Sequence, residues 1–291
     1  MRYDIRLSIG NHYGAPSDHA RTMVRLLPSD LPGRQIVSSR LLTVDPIPDE
    51  RYETTDFFGN ATTVLVFHTP IDRIDLTLRA RVERLFQPAI LDLSPNLGGL
   101  AAELSGFRAL GASAPHHYTG PSPRIAPDPA ITDFARSLVT PGATALQTVE
   151  TLGRALHDEM RFDADATDVD TSPTDAFANR HGVCQDFSHV MIAGLRALGV
   201  PAGYVSGFLR TVPPPGQPRL EGADAMHAWV SAWCGAENGW VEYDPTNACT
   251  VNQDHITVAC GRDYSDVSPV RGTLRTSGEQ DSHQKVDVVP L

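Results

Sequence analysis

Residues 180–210 read RHGVCQDFSHVMIAGLRALGVPAGYVSGFLR, and their reading decides the fold. Apolar or small residues fall at Cys184, Phe187, Ser188, Met191, Leu195 and Leu198, which is one stripe of an amphipathic helix. Gly182 suits a tight turn before it, and Asp186 in the first turn faces the positive end of the helix dipole. Gly199, Val200 and Pro201 form a stop signal. Cys184 is therefore expected in the first turn, on the buried side, among free N–H groups. A helix N-terminus is one of two common devices that hold a cysteine as thiolate; a neighbouring imidazolium is the other.

The next stretch, DAMHAWVSAW, supplies the imidazole. His227, Trp229, Ser231 and Trp233 alternate with Ala228, Val230 and Ala232, the pattern of a strand. A turn over Gly235–Gly239 leads to a second strand, Trp240–Tyr243, which ends at Asp244-Pro245. Two neighbouring strands can thus hold His227 and Asp244 within hydrogen-bond reach, and a carboxylate would fix the imidazole's tautomer. Each residue has a plain alternative. A lone cysteine is more often a small buried hydrophobe, a strand histidine a packed core residue, and Asp-Pro a turn. It is the three together that point to a Cys184–His227–Asp244 nucleophilic site.

The chain from about Phe162 onward resembles the transglutaminase-like superfamily, in the bacterial branch described as transglutaminase-like cysteine proteases. The matching stretches are TSPTDAFANRHGVCQDFSHVMIAGLRALGVPAGYVSGFL, GADAMHAWVSAW, GWVEYDPTNA, HITVACGRDYSDVSPVRG and KVDVVPL. The family's catalytic residues fall on Cys184, His227 and Asp244. The N-terminal third resembles the β-rich domain that precedes this core in that branch, with DFFGN at Asp56–Asn60 as its mark. Met226 departs from the pattern, because the branch carries a small residue before the histidine. The resemblance also makes Arg262, Asp263 and Tyr264 candidates for the cleft wall; the bland reading is a turn with a surface ion pair. Gln185 and Trp229 are further cleft candidates.

The rest of the chain is consistent with an α+β fold: an antiparallel β-sandwich over 1–120 with its connector, then a papain-like, transglutaminase-like core over 121–291. Alternation at Tyr3–Ile9, Thr22–Leu26 and Ile74–Val82 marks sandwich strands. Residues 85–127 read as irregular, with Pro115–Pro127 as linker. Asp128-Pro129 and Ser172-Pro173 are helix starts, and 143–160 a longer helix. TVPPPGQP at 211–218 reads as a rigid loop that overhangs the cleft.

Composition bounds the partners. The net charge of −11 argues against nucleic acid and anionic membrane. The opening MRYDIRLSIG has no secretory apolar region, and no run approaches the ~18 apolar residues of a membrane span. The four cysteines at 184, 234, 249 and 260 show neither a disulfide framework nor the close pairs of a zinc site. The expectation is a cytoplasmic enzyme without metal or cofactor that acts on a peptide or protein amide through a thioester. Hydrolysis is favoured because the resembled branch is described that way. Transfer to an amine and a catalytically idle peptide-binding module are the alternatives. Nothing in the sequence sets an oligomeric state.

Overall fold

In the computed structural model every residue is described except 18, 165, 212–221, 223 and 275–278, so the expected loop at 211–218 lies outside the described residues but for Thr211. The first strand, Arg2–Ser17, buries Tyr3, Ile5, Leu7 and Ile9 on one side, as its alternation requires. It pairs antiparallel with Ile71–Arg84, setting Ile5 opposite Ala80 and Leu7 opposite Leu78. Gln35–Asp45 extends that sheet on one side and Gln280–Pro290 on the other. A second antiparallel sheet runs in the order 270–274, 20–24, 61–67, 50–55. Leu65, Phe67, Val24 and the inward side chains of the first sheet share one apolar core.

Both sheets of this sandwich include strands from the end of the chain. The sequence division near residue 120 assigns Val270–Leu274 and Gln280–Pro290 to the core, yet they pair with Ala20–Val24 and Arg2–Ser17. The reason is physical: each is an edge strand whose backbone groups need a partner, and the sandwich offers open edges.

The α+β core carries a five-stranded antiparallel sheet in the order 249–250, 240–244, 225–233, 202–209, 255–261. Helix Cys184–Ala197 packs on it, buried along almost its whole length. Helix Ala145–Glu159, capped by Thr144, lies against strand Trp240–Asp244. The approach is so close that a Cβ on Gly153 would meet the Tyr243 ring at 2.2 Å. Helices Pro129–Ser137 and Pro173–Asn179 start where expected, with Asp128 and Ser172 accepting from the N–H groups of Ile131 and Asp175. The segment 85–127 is more ordered than its composition suggests. It holds helix Leu97–Gly106 and a 3-10 turn at Pro115–Tyr118. Its second half is stitched down by Arg196, whose guanidinium donates to Gly120 O and Ser122 Oγ at 3.0 Å, and to Ala202 O and Arg262 O.

The sandwich meets the core along strand His255–Gly261, an edge strand of the core sheet that this contact buries. Two side-chain amides bond its backbone there as a further strand would. Gln35 accepts from Thr257 N at 2.9 Å and donates to Thr257 O at 2.8 Å. Asn60 does the same with Cys260, at 2.7 and 2.8 Å. Asn60 ends the DFFGN turn, in which Asp56 accepts from Phe58 N and Asn60 N. That turn is thus the clasp between the two parts of the chain.

Candidate functional site

Cys184 is the first residue of its helix and is partly exposed. Val183 precedes it with extended backbone, and its N–H donates to Asp186 Oδ2 at 2.8 Å. Thr167 Oγ1 donates to the same oxygen at 2.7 Å. Asp186 therefore caps the helix, and burial pushes its carboxyl up. Gly182 is required here, because a Cβ at that position would come within 2.5 Å of Asp186 Oδ2. The N–H groups of Cys184 and Gln185 belong to the first turn and have no helical acceptor, so they point their dipoles at the thiol's surroundings.

His227 and Asp244 stand on adjacent strands, as the alternation implies. His227 Nε2 lies 2.8 Å from Asp244 Oδ2. Since a carboxylate only accepts, Nε2 carries the proton and Nδ1 is left for the thiol. Burial pulls the imidazole's pKa down, but hydrogen bonds to Asp244 and to Cys184, with the charges of both, raise it to about 10. Asp244 is fully buried. Burial pushes its carboxyl up, yet the bonds it accepts from His227, His255 and Asn247 outweigh that and hold it below the ordinary carboxylate range. Its second oxygen accepts from the backbone N–H groups of Thr246 and Asn247, at 2.9 and 3.2 Å.

His255 and Asn247 are the residues that sequence reasoning missed. His255 Nε2 lies 3.1 Å from Asp244 Oδ2, and Asn247 Nδ2 lies 2.7 Å from it. Asn247 sits inside the DPTNA stretch and His255 opens the strand 255–261, so both were visible as residues. No signal in the sequence said that they turn onto Asp244. His227, Asp244 and His255 bring three metal-ligand atoms within 4.8 Å of one another. These are the residues that could hold a cation, but hydrogen bonds already account for their facing atoms.

The cleft candidates fare unevenly. Trp229 is fully buried, edge-on to His255 at 5.3 Å, with its indole N–H donating to Glu242 Oε2 at 2.9 Å. It is a floor under the histidines rather than a cleft wall. Glu242 is in turn ion-paired with Arg34 of the sandwich. Gln185 is nearly buried and donates to Val169 O at 3.1 Å. Arg262 embraces Asp266 through Nε and Nη2. Asp263 is buried and accepts from Arg124 N and Ser265 N, both at 2.8 Å. Tyr264 donates its N–H to His189 Nε2 at 3.2 Å and packs against Tyr204, which feels the charge of Cys184. Among the described residues, the Arg262–Tyr264 run is linked toward the thiol through His189 and Tyr204. Met226 is half-buried and packs against the core.

With this geometry in view, the comparisons with known proteins are specific. The transglutaminase-like superfamily core matches residues 132–245, and the bacterial transglutaminase-like N-terminal region matches residues 3–83. An uncharacterized protein of Mycobacterium tuberculosis is 35% identical over 270 residues, covering 89% of this chain and 83% of its own. The chain belongs to the transglutaminase-like superfamily. A solved structure from Cytophaga hutchinsonii, described as a candidate cysteine protease, shares the fold with a TM-score of 0.70 at 20% identity, over 99% of this chain and 90% of that one. A protein-glutamine gamma-glutamyltransferase of Pseudomonas aeruginosa matches more locally, at 37% identity over 82 residues, 28% of this chain and 12% of that protein. No helix among the described residues is long and apolar enough to cross a membrane.

Proposed function

We propose that the protein is a cysteine-dependent acyl-transfer enzyme that cleaves amide bonds, with Cys184, His227 and Asp244 as its catalytic residues. One observation carries this reading: His227 is bonded through Nε2 to a buried carboxylate, and its imidazole lies near enough to Cys184, at a helix N-terminus, to be raised by the thiol. In this scheme the imidazolium keeps Cys184 as thiolate, and Sγ attacks the amide carbonyl carbon. The carbonyl electron pair moves to oxygen, where the Cys184 N–H donates to the developing oxyanion. Collapse breaks the C–N bond, and His227 Nδ1 hands its proton to the leaving amine. Water, deprotonated by the now neutral His227, then attacks the thioester; release of the carboxylic acid restores the thiolate–imidazolium pair.

The substrate class on this reading is a peptide or protein amide, and the net result is hydrolysis. A second reading replaces water with an amine, and it is favoured by the local match to a protein-glutamine gamma-glutamyltransferase. One experiment tests both. The purified protein is incubated with a glutamine-containing protein such as casein, with and without a fluorescent primary amine. New N-termini indicate peptide hydrolysis, ammonia release alone indicates glutamine deamidation, and label in the protein indicates transamidation. Cys184→Ala should abolish all three. Any of them surviving in Cys184→Ala would remove the thiol from the chemistry.

A further inference from the structure

A cavity of about 470 Å³, whose lining includes none of Cys184, His227 and Asp244, opens where the DFFGN turn meets the Arg262–Asp266 run. Arg25, Arg262 and Arg271 line it, with Asp56, Asp266, Phe57, Phe58, His117 and Ser265. Three guanidiniums against two carboxylates is a local excess of positive charge in a chain whose net charge is −11.

The two carboxylates are spent. Asp56 Oδ1 accepts from Phe58 N and Asn60 N, and its Oδ2 from Arg25 Nε and Asn60 Nδ2, all at 3.0 Å. Asp266 accepts three bonds from Arg262, one of them from the backbone N–H. The donors are not spent. Arg25 keeps Nη1 buried with no acceptor. The Arg271 guanidinium has no ion-pair or hydrogen-bond partner among the described residues, and the Ser265 hydroxyl has no acceptor there either. An acceptor-rich group in the cavity would complete this set, and the carboxylates already present cannot.

The remaining wall is aromatic. Phe57 is largely exposed and stands edge-on to Phe58 at 5.1 Å and to His117 at 5.3 Å. Arg262 Cζ lies 5.8 Å from the Phe58 ring centroid. A ligand that places its anion among Arg25, Arg271 and Ser265 would rest its apolar part on these rings.

We propose that this cavity is a binding site for a small organic anion, a carboxylate or phosphate joined to an aromatic or apolar group. The site is separate from the amide chemistry and does not depend on it. The test is isothermal titration at low salt with N-acetylphenylalanine, its uncharged amide, and phenyl phosphate. Both anions should bind saturably and the amide should not; the tighter anion tells a carboxylate ligand from a phosphate one. Arg271→Glu reverses a charge on an exposed strand residue, so melting should not move, while affinity for the anions should fall at least about tenfold. Phe57→Ala should weaken both by a smaller factor. The proposal falls if neither anion saturates the wild-type protein, if the amide binds as well as the acid, or if Arg271→Glu binds unchanged.

Discussion

The two ends of the Cys184–His227–Asp244 cluster are built on opposite principles. At the acid end, Asp244 is fully buried and takes five hydrogen bonds, from His227, His255, the Asn247 side chain and two backbone N–H groups. At the thiol end, Cys184 is partly exposed at the start of a helix, and its neighbouring N–H groups have no helical acceptor. On the proposed mechanism, an acid that must hold one orientation is overdetermined, while a nucleophile that must meet substrate is left with room. The difference teaches where substitutions should hurt chemistry alone and where they should also hurt the fold.

The largest effect is expected at the open end. Cys184→Ser should lower amide cleavage on the order of 10⁴-fold or more, with melting close to wild type, because little packing is lost at a partly exposed helix terminus. Turnover within tenfold of wild type would break the comparison at its first term. At the closed end Asp244→Asn should cost on the order of 10³-fold, because the amide can present its NH₂ to His227 Nε2 and favour the wrong tautomer. Here melting should fall as well, since the amide must turn its NH₂ donor either onto His227, His255 and Asn247 or onto the backbone N–H groups of Thr246 and Asn247. An Asp244→Asn protein with full activity would reassign Asp244 to a structural turn.

Beneath the closed end the sandwich takes part. Arg34 pairs with Glu242, and Glu242 accepts from Trp229, the floor of the two histidines. Arg34→Leu would leave a buried carboxylate short of its main counter-charge, which should cost about 3 kcal/mol in urea unfolding. A cost below about 0.5 kcal/mol would show that Arg84, whose charge also reaches Glu242, suffices alone.

Much of this was legible in the sequence, for identifiable reasons. The helix at Cys184 and the strands at His227 and Asp244 are short-range patterns, set by period and by turn residues, and they appear where the pattern puts them. The α+β class and the sandwich follow from the same kind of signal. What the pattern does not carry is which distant backbone completes a sheet. Gln280–Pro290 alternates like any strand, and only its pairing with Arg2–Ser17 shows that it belongs to the sandwich. The same holds for side chains. Trp229 and His227 share a strand face, yet one is a buried floor and the other bonds Asp244, because Glu242 from the neighbouring strand and Arg34 from far along the chain close over the indole. His255 is eleven positions past Asp244, on a strand two places removed in the sheet's order from His227's, so nothing local predicts the bond to Asp244.

The proposed pairing of His227 with Cys184 can be tested through the other cysteines. With its pKa raised to about 10, His227 stays protonated well above an ordinary imidazole. The sign follows: a raised folded-state value stabilises the fold fully below about pH 6.5, and that contribution is lost as pH climbs through 10. Cys234, Cys249 and Cys260 are pushed up by burial to about 12, 11 and 12, so they are silent to iodoacetamide near neutrality. Alkylation of the wild-type protein between pH 6 and 8 therefore reports Cys184 alone. His227→Ala removes the positive partner and keeps the helix terminus, so the rate at pH 6 should fall about tenfold. Superimposable curves for the two proteins would separate His227 from the thiol.

The smallest effect is expected from His255, and it sharpens the comparison most. If the closed end is overdetermined, losing one of five donors should leave the fold and most of the chemistry in place. His255→Gln gives up the ring Nε2 that donates to Asp244 Oδ2, together with the ring that packs against Trp229 and faces His227 at 6.1 Å. The expected loss in kcat is about tenfold, with KM unchanged, because His255 touches neither the thiol nor the substrate's carbonyl and acts through Asp244 alone. Asp244 would hold its proton a little more tightly without that donor, so the acid limb of the rate profile should move to higher pH. A merely structural histidine would lower melting and leave that limb where it is. If His255→Gln instead costs as much as Asp244→Asn, the acid end is not overdetermined: the two histidines then act as one unit on a single carboxylate, and the contrast between a closed end and an open one gives way to a four-residue site.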